Sequence, residues 1–112
     1  MGYNTRYTLR VDGPWKEVLE YIEADPTLQH PLGDMYTLGD GRFDVGEWTW
    51  YDHEQDMKFL STDFPDILFT LEGKGEDRDD LWVKYFKAGK IQRVEAKIEY
   101  DPFDPEKLVD DW

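Results

Sequence analysis

From Arg6 to Val11 the chain alternates: Tyr7, Leu9 and Val11 fall on one face, Arg6, Thr8 and Arg10 on the other. A period of two predicts a half-buried strand. Asp12-Gly13-Pro14 breaks the alternation. Asp12 or Gly13 is expected to cap a helix, with Pro14 in its first turn. Trp15, Val18, Leu19 and Ile22 then recur at helical spacing, with Lys16, Glu17, Glu20 and Glu23 turned away, until Asp25-Pro26 ends the pattern. Residues Thr27 to Asp34, which include Pro31 and Gly33, read as a loop. Met35 to Leu38 is a short strand, Gly39-Asp40-Gly41 a turn, and Phe43 to Trp50 the returning strand. In that strand Phe43 and Val45 are expected on one face and Trp48 and Trp50 on the other, with Gly46 marking a bulge.

Asp52 followed by Gln55 resembles a capping box. The helix it opens turns Met57, Leu60 and Phe64 inward and ends at Pro65. Ile67, Phe69 and Leu71 alternate in a further strand. Gly73 to Asp80 is glycine-bearing and acidic and reads as a loop. Leu81 to Lys87 and Ile91 to Tyr100 are two more strands joined by Ala88-Gly89, and Asp101-Pro102 closes the last. After it, at most one turn of helix is expected, near Pro105 to Val109. The order predicts an α+β fold: a ferredoxin-like βαββαβ core with an added C-terminal β-hairpin, two helices covering one face of a mainly antiparallel sheet. Residues 1–102 form one domain on this reading, and 103–112 an acidic tail. No repeat or low-complexity linker divides the chain.

Several segments follow a recurring pattern: Trp48 to Met57, then Phe64-Pro65-Asp66-Ile67-Leu68-Phe69-Thr70-Leu71, Gly73-Lys74-Gly75-Glu76, and Leu81-Trp82-Val83-Lys84-Tyr85-Phe86-Lys87-Ala88-Gly89-Lys90. Over roughly residues 43–91 the chain resembles the small ferredoxin-like domains of phage and plasmid proteins, the YubB-like type. In that type a helix ends in an aromatic-Pro-Asp corner, followed by a strand and a hairpin. The resemblance implies a fold and a mobile-element origin and carries no catalytic residues. By analogy of class it points to small acidic proteins that disarm host defences, similar to anti-CRISPR and anti-restriction inhibitors.

Composition sharpens this picture. Asp and Glu number 26 against 13 Lys and Arg in 112 residues, for a formal net charge of -13 and a pI near 4.4. Such a field repels nucleic acid and anionic membrane and attracts basic protein surfaces. With 16% aromatic residues the chain is a folded domain with an acidic skin and not a disordered acidic segment. It has no cysteine, which excludes disulfides and thiolate metal sites. No signal peptide or membrane-length apolar run is visible, and a cytoplasmic location in a host bacterial cell is expected.

Candidate chemistry is thin. His30 and His53 lack metal partners at ligand spacing. The loop from Glu72 to Asp80 lacks the ligand order of a calcium loop and contains Lys74 and Arg78. Gly39-Asp40-Gly41 and Gly73-Lys74-Gly75 are too short to cradle phosphates. Ser61, the one serine, has no histidine nearby in sequence. Lys84, Lys87, Lys90, Arg93 and Lys97 cluster in the last hairpin, where Arg93, Glu95, Lys97 and Glu99 share one face with alternating signs that read as cross-strand pairs and edge protection. No enzyme, cofactor or direct nucleic-acid contact is therefore expected.

The acids lie in groups: Glu72 to Asp80, Glu99 to Asp111, and a set comprising Asp40, Asp44, Glu47, Asp52, Glu54 and Asp56. DNA carries one charge about every 1.7 Å of axis, so rows of carboxylates can compete for a cationic cleft. The sequence predicts an inhibitor that mimics nucleic acid and occludes a basic, nucleic-acid-binding protein such as a CRISPR effector or restriction component. The expected contacts are Glu72, Glu76, Asp77, Asp79, Asp80, Asp101, Asp104, Asp110 and Asp111, with Trp112 as an anchor; the expected state is a monomer or weak homodimer. The competing expectation is an accessory interaction domain whose acidity serves only solubility.

Overall fold

The computed structural model describes residues 3–28, 30–77, 80–95 and 102–109. Its strands are β1 (Thr5–Asp12), β2 (Tyr36–Gly39), β3 (Arg42–Trp48), β4 (Leu68–Gly75), β5 (Leu81–Lys87) and β6 (Lys90–Glu95); its helices are α1 (Trp15–Ala24) and α2 (His53–Asp63). The strands form one sheet in the order β2-β3-β1-β4-β5-β6, every neighbouring pair antiparallel. The molecule is thus α+β, with a six-stranded antiparallel sheet and two α-helices among the described residues. No helix among the described residues is long and apolar enough to cross a membrane.

The period-two signal in β1 fixes which side is buried. Thr5, Tyr7, Leu9 and Val11 are buried, and Phe43, Val45, Phe69, Leu71 and Phe86 of neighbouring strands join them. Val18 and Ile22 of α1 and Met57 and Leu60 of α2 complete a single core. Each such apolar side chain stabilises the fold by about 1.5–3 kcal/mol. The edge of Trp15 meets Phe43, and Tyr21 of α1 meets Phe64 at the end of α2, so both helices lie on this side. Among the described residues no helix covers the opposite side of the sheet.

Several expectations need correction. Neither Asp12 nor Gly13 caps α1 through a side chain. Asp12 stays in β1 opposite Leu68, where its carboxylate accepts from Arg10 Nε at 3.1 Å, and Pro14 occupies the cap position. Asp52 sits at the cap of α2, but its side chain makes no capping bond; its carbonyl accepts from the Asp56 amide at 2.9 Å. The segment after α1 contains two short 3-10 turns, Pro26–Leu28 and Leu32–Asp34, whose buried Leu28 and Leu32 enter the core. The described part of the tail holds one 3-10 turn, Pro105–Lys107, in keeping with the one turn expected there. The strand expected to run to Tyr100 is described as far as Glu95, and the rest of that reading lies outside the described residues.

Trp48 and Trp50 do not occupy the face opposite Phe43 and Val45. The register of β1 on β3 shifts between Tyr7 and Thr8: Thr8 faces Asp44, Tyr7 faces Gly46, and Val45 is the extra residue. This bulge, at Gly46 with φ 95°, resets the alternation. Trp48 therefore lies on the core side opposite Thr5, and Trp50, beyond the strand, is buried in the core. The bulge is well satisfied. Trp48 Nε1 donates to the Val45 carbonyl at 2.7 Å, and the Asp44 carboxylate accepts from the Gly46 amide at 3.1 Å and from Arg6 at 2.7 Å.

Gly73 to Gly75, expected in a loop, extend β4 by pairing with Thr5, Arg6 and Tyr7. Both glycines are positions of close approach. A Cβ on Gly73 would lie 2.1 Å from the Trp82 indole, and one on Gly75 would lie 2.0 Å from the Asp80 carboxylate. The absence of side chains here lets β5 seat its tryptophan, which a reading based on turn propensity misses.

Candidate acidic interface

Antiparallel register brings the start of β1, the ends of β3, β4 and β6 and the start of β5 to one end of the sheet: Thr5 lies between Trp48 and Gly75, Lys74 opposite Leu81, and Trp82 opposite Glu95. The chain leaves β3 there to begin α2. Two of the acidic groups separated in sequence thus converge, with Glu47, Asp52, Glu76, Asp77, Asp80 and Glu95 at this end. Asp40, in the turn between β2 and β3, lies at the other end beside Val11 and Arg42. The signal that unites these acids is strand register, which no short window of sequence contains.

The turn between β4 and β5 is held from the side by Tyr3. Its hydroxyl donates to Asp80 Oδ2 at 2.7 Å and accepts from the Asp77 amide at 2.9 Å. The Gly75 amide donates to the Asp80 carbonyl at 2.8 Å, and the Asp80 amide to the Asp77 carbonyl at 3.0 Å. Glu76 and Asp77 are exposed on this tethered turn. Glu47, Asp52, Glu76, Asp77, Asp80 and Glu95 make no ion pair among the described residues, in contrast to Asp12, Asp34, Asp44 and Glu54, each of which does. Tyr51, beside Asp52, is 80% exposed.

Beneath the acids lies a polar and aromatic floor. The His53 ring stacks on Trp82 with centroids 5.2 Å apart, and Tyr7 meets both Trp50 and Trp82 edge-on. His53 Nδ1 donates to the Trp50 carbonyl at 2.9 Å, and Lys84 Nζ donates to Nε2 at 2.6 Å while lying 4.3 Å from the Trp82 ring centre. Burial, then the Lys84 charge, lowers the His53 pKa, in keeping with a neutral imidazole that accepts from an ammonium. Both ring nitrogens are thereby engaged. Ser61 lies about two helical turns further along α2; it donates to the Lys58 carbonyl and accepts from the Gly89 amide, which pins the β5–β6 turn to the helix.

The expected cross-strand neutralisation of Lys84 and Arg93 takes another form. These two cations face each other across β5 and β6, and the neutralising carboxylate comes from α2. Glu54 accepts two bonds from Arg93, at 2.7 and 2.8 Å, and pairs with Lys84 at 2.8 Å. The Arg93 bonds above all, with Lys84, hold the Glu54 pKa down to about 2. Asp56 accepts from Trp50 Nε1 at 2.8 Å, yet burial pushes its pKa up.

The predicted contact residues do not form one surface. Glu76, Asp77 and Asp80 share the acidic end. Glu72 stands apart on the open side of the sheet, between Thr8 and Val83. Asp104 caps the tail's 3-10 turn, accepting from the Glu106 amide at 3.0 Å. Asp79, Asp101, Asp110, Asp111 and Trp112 lie outside the described residues. Among the described residues no cluster of histidine and carboxylate ligands suits a metal ion. No protein-family model, curated protein or solved structure matches the chain.

Proposed function

We propose that this chain is a non-catalytic binding protein that presses the acidic end of its sheet into a basic, nucleic-acid-binding surface of another protein and so occludes it. The observation that carries the reading is the convergence of Glu47, Asp52, Glu76 and Asp77, exposed and unpaired among the described residues, on a chain of net charge -13. Their positions are set by strand register and by Tyr3, so the charges are preorganised, and little ordering entropy opposes binding. Tyr51 offers an exposed ring of the kind that anchors interfaces. We further propose a ferredoxin-like core. The order β2-β3-β1-β4 with α1 and α2 on one side supports it, and β5 and β6 extend that sheet as the added hairpin. The resemblance to phage and plasmid domains suggests a target among host defence proteins, of the CRISPR-effector or restriction kind, in the bacterial cytoplasm.

The second reading is an accessory interaction domain. Asp52, Glu54 and Asp56 at the start of α2 favour it, since acids there also stabilise the helix dipole. One experiment separates the two. The wild-type chain and the variant Glu47→Lys/Glu76→Lys/Asp77→Lys are immobilised, and bacterial lysate is passed over each at low and high salt. Occlusion predicts a protein retained by the wild type alone, released by salt and displaced by duplex DNA. Equal retention by both chains, or retention indifferent to salt and DNA, would overturn the proposal.

A further inference from the structure

The side of the sheet away from the helices places cations opposite one another, among the carboxylates Asp12, Asp44, Glu47 and Glu72. Arg6 faces Lys74 across β1 and β4, Arg10 faces Arg42 across β1 and β3, and Lys87 faces Lys90 across β5 and β6. Like charges directly opposite one another destabilise a sheet. Here three cationic pairs share one side of a chain with twice as many acids as bases. Asp44 and Asp12 each hold one arginine of this set, whereas Lys74, Arg42, Lys87 and Lys90 make no ion pair among the described residues. Beside Arg6 and Lys74 the same side opens into a groove of about 440 Å³, whose walls include the apolar side chains of Leu81, Val83 and Val94 and one carboxylate, Glu72, so that it takes an apolar side chain while the acids of a ligand meet the cations at its rim.

A ligand for this side must combine negative charge with apolar side chains. The chain contains such a segment. Residues 102–109 interleave Asp104 and Glu106 with Phe103, Leu108 and Val109, which are 76%, 67% and 78% exposed. We propose that the open side of the sheet receives the C-terminal segment of a second copy, with Phe103, Leu108 or Val109 in the groove and Asp104 and Glu106 against Lys74 and Arg42. The segment leaves these side chains uncovered on its own chain, and a two-fold exchange covers both copies with the same contacts. This interface borders the acidic end, since Arg6 faces Glu47 as well as Lys74, and it leaves Glu76 and Asp77 outside the contact.

Sedimentation equilibrium over a wide concentration range tests the proposal. The wild type is expected to dimerise reversibly. A chain ending at Asp101, and a Lys74→Glu/Arg42→Glu variant with an intact tail, should each dimerise at least about tenfold more weakly, a loss of ~1.4 kcal/mol. The decisive sample is their mixture. One chain contributes an intact sheet and the other an intact tail, so the mixture should regain a dimer that neither forms alone. If the glutamate variant fails to fold by circular dichroism, Lys74→Ala/Arg42→Ala takes its place. A wild type that stays monomeric throughout overturns the proposal, including the case where deletion changes its tyrosine fluorescence and the tail docks on its own chain. So does a truncated chain that dimerises like the wild type, or a mixture that stays monomeric.

Discussion

Replacing Gly73 with alanine tests the closest packing in the molecule. The new methyl would sit 2.1 Å from both Cε2 and Cζ2 of Trp82 and 2.7 Å from Cη2. Non-bonded carbons rest about 3.5 Å or more apart, so the indole must withdraw by more than about 1 Å or β4 must separate from β5. Withdrawal is resisted, because the ring is stacked on His53, touched edge-on by Tyr7 and overlaid by the Lys84 ammonium. Overpacking of this kind typically costs about 1–3 kcal/mol, and the three neighbours place Gly73→Ala near the top of that range. At about 4–8 °C per kcal/mol, the melting temperature should fall by roughly 10 °C or more. The control is the same substitution in a Trp82→Ala background. There the methyl meets no ring, and because the glycine has no left-handed backbone, alanine should instead stabilise by about 0.5 kcal/mol through the unfolded chain. Urea unfolding of the four proteins gives the cycle from midpoints and slopes. A Gly73→Ala penalty of the same size in both backgrounds would refute the packing argument.

Acid should destabilise the fold in two stages. The folded His53 pKa lies below its ordinary 6.5, so its neutral form is accommodated at full stability above 6.5, and stability declines as pH falls from there toward the lowered value. Glu54, held at about 2 against an ordinary 4.5, contributes above 4.5 and loses that contribution as pH falls toward 2. Urea midpoints against pH should show both slopes in the wild type and only the lower one in His53→Gln. Glu54→Gln should cost about 1 kcal/mol, the modest worth of a partly exposed pair, and should flatten the lower slope. Tyr3→Phe should speed hydrogen exchange at the Asp77 amide with little change elsewhere, read by NMR, because the acceptor for that amide is removed.

The elements themselves were legible because they rest on local periodicity. The alternation through Tyr7, Leu9 and Val11 and the stripe of Val18 and Ile22 bury the positions expected of them. The failures are non-local. Gly73 and Gly75 read as loop residues because turn propensity scores a residue alone, whereas their role is to admit Trp82 and Asp80 from a different part of the chain. Trp48 was expected on the wrong side because Gly46 flagged a bulge without indicating that the alternation resumes shifted by one residue beyond it. The acidic end was legible as charge but not as place: Glu47 and Glu76 come to the same end of the sheet only through the register of β3, β1 and β4. The cationic pairs on the open side were hidden for the same reason, since Arg6 and Lys74 are 68 residues apart (74 minus 6) and become neighbours only when β1 joins β4.

The extra residue in β3 also bears on where this chain can change length. Straightening β3 at its present length would turn Trp48 to solvent, whereas losing one residue at Val45 or Gly46, which share Tyr7, leaves Phe43 and Trp48 both on the core side. A second extra residue that the strand does not bulge out would turn Trp48 away. The stretch from Pro26 to Asp34 has no such parity to keep: among its described residues it anchors through the buried Leu28, Pro31 and Leu32 and through His30 against Trp48. Relatives of this protein should therefore differ in length between α1 and β2 and, from Arg42 to Asp52, change length by loss of the bulged residue before any other, a spacing that alignments can use as a fingerprint where residue identity has faded.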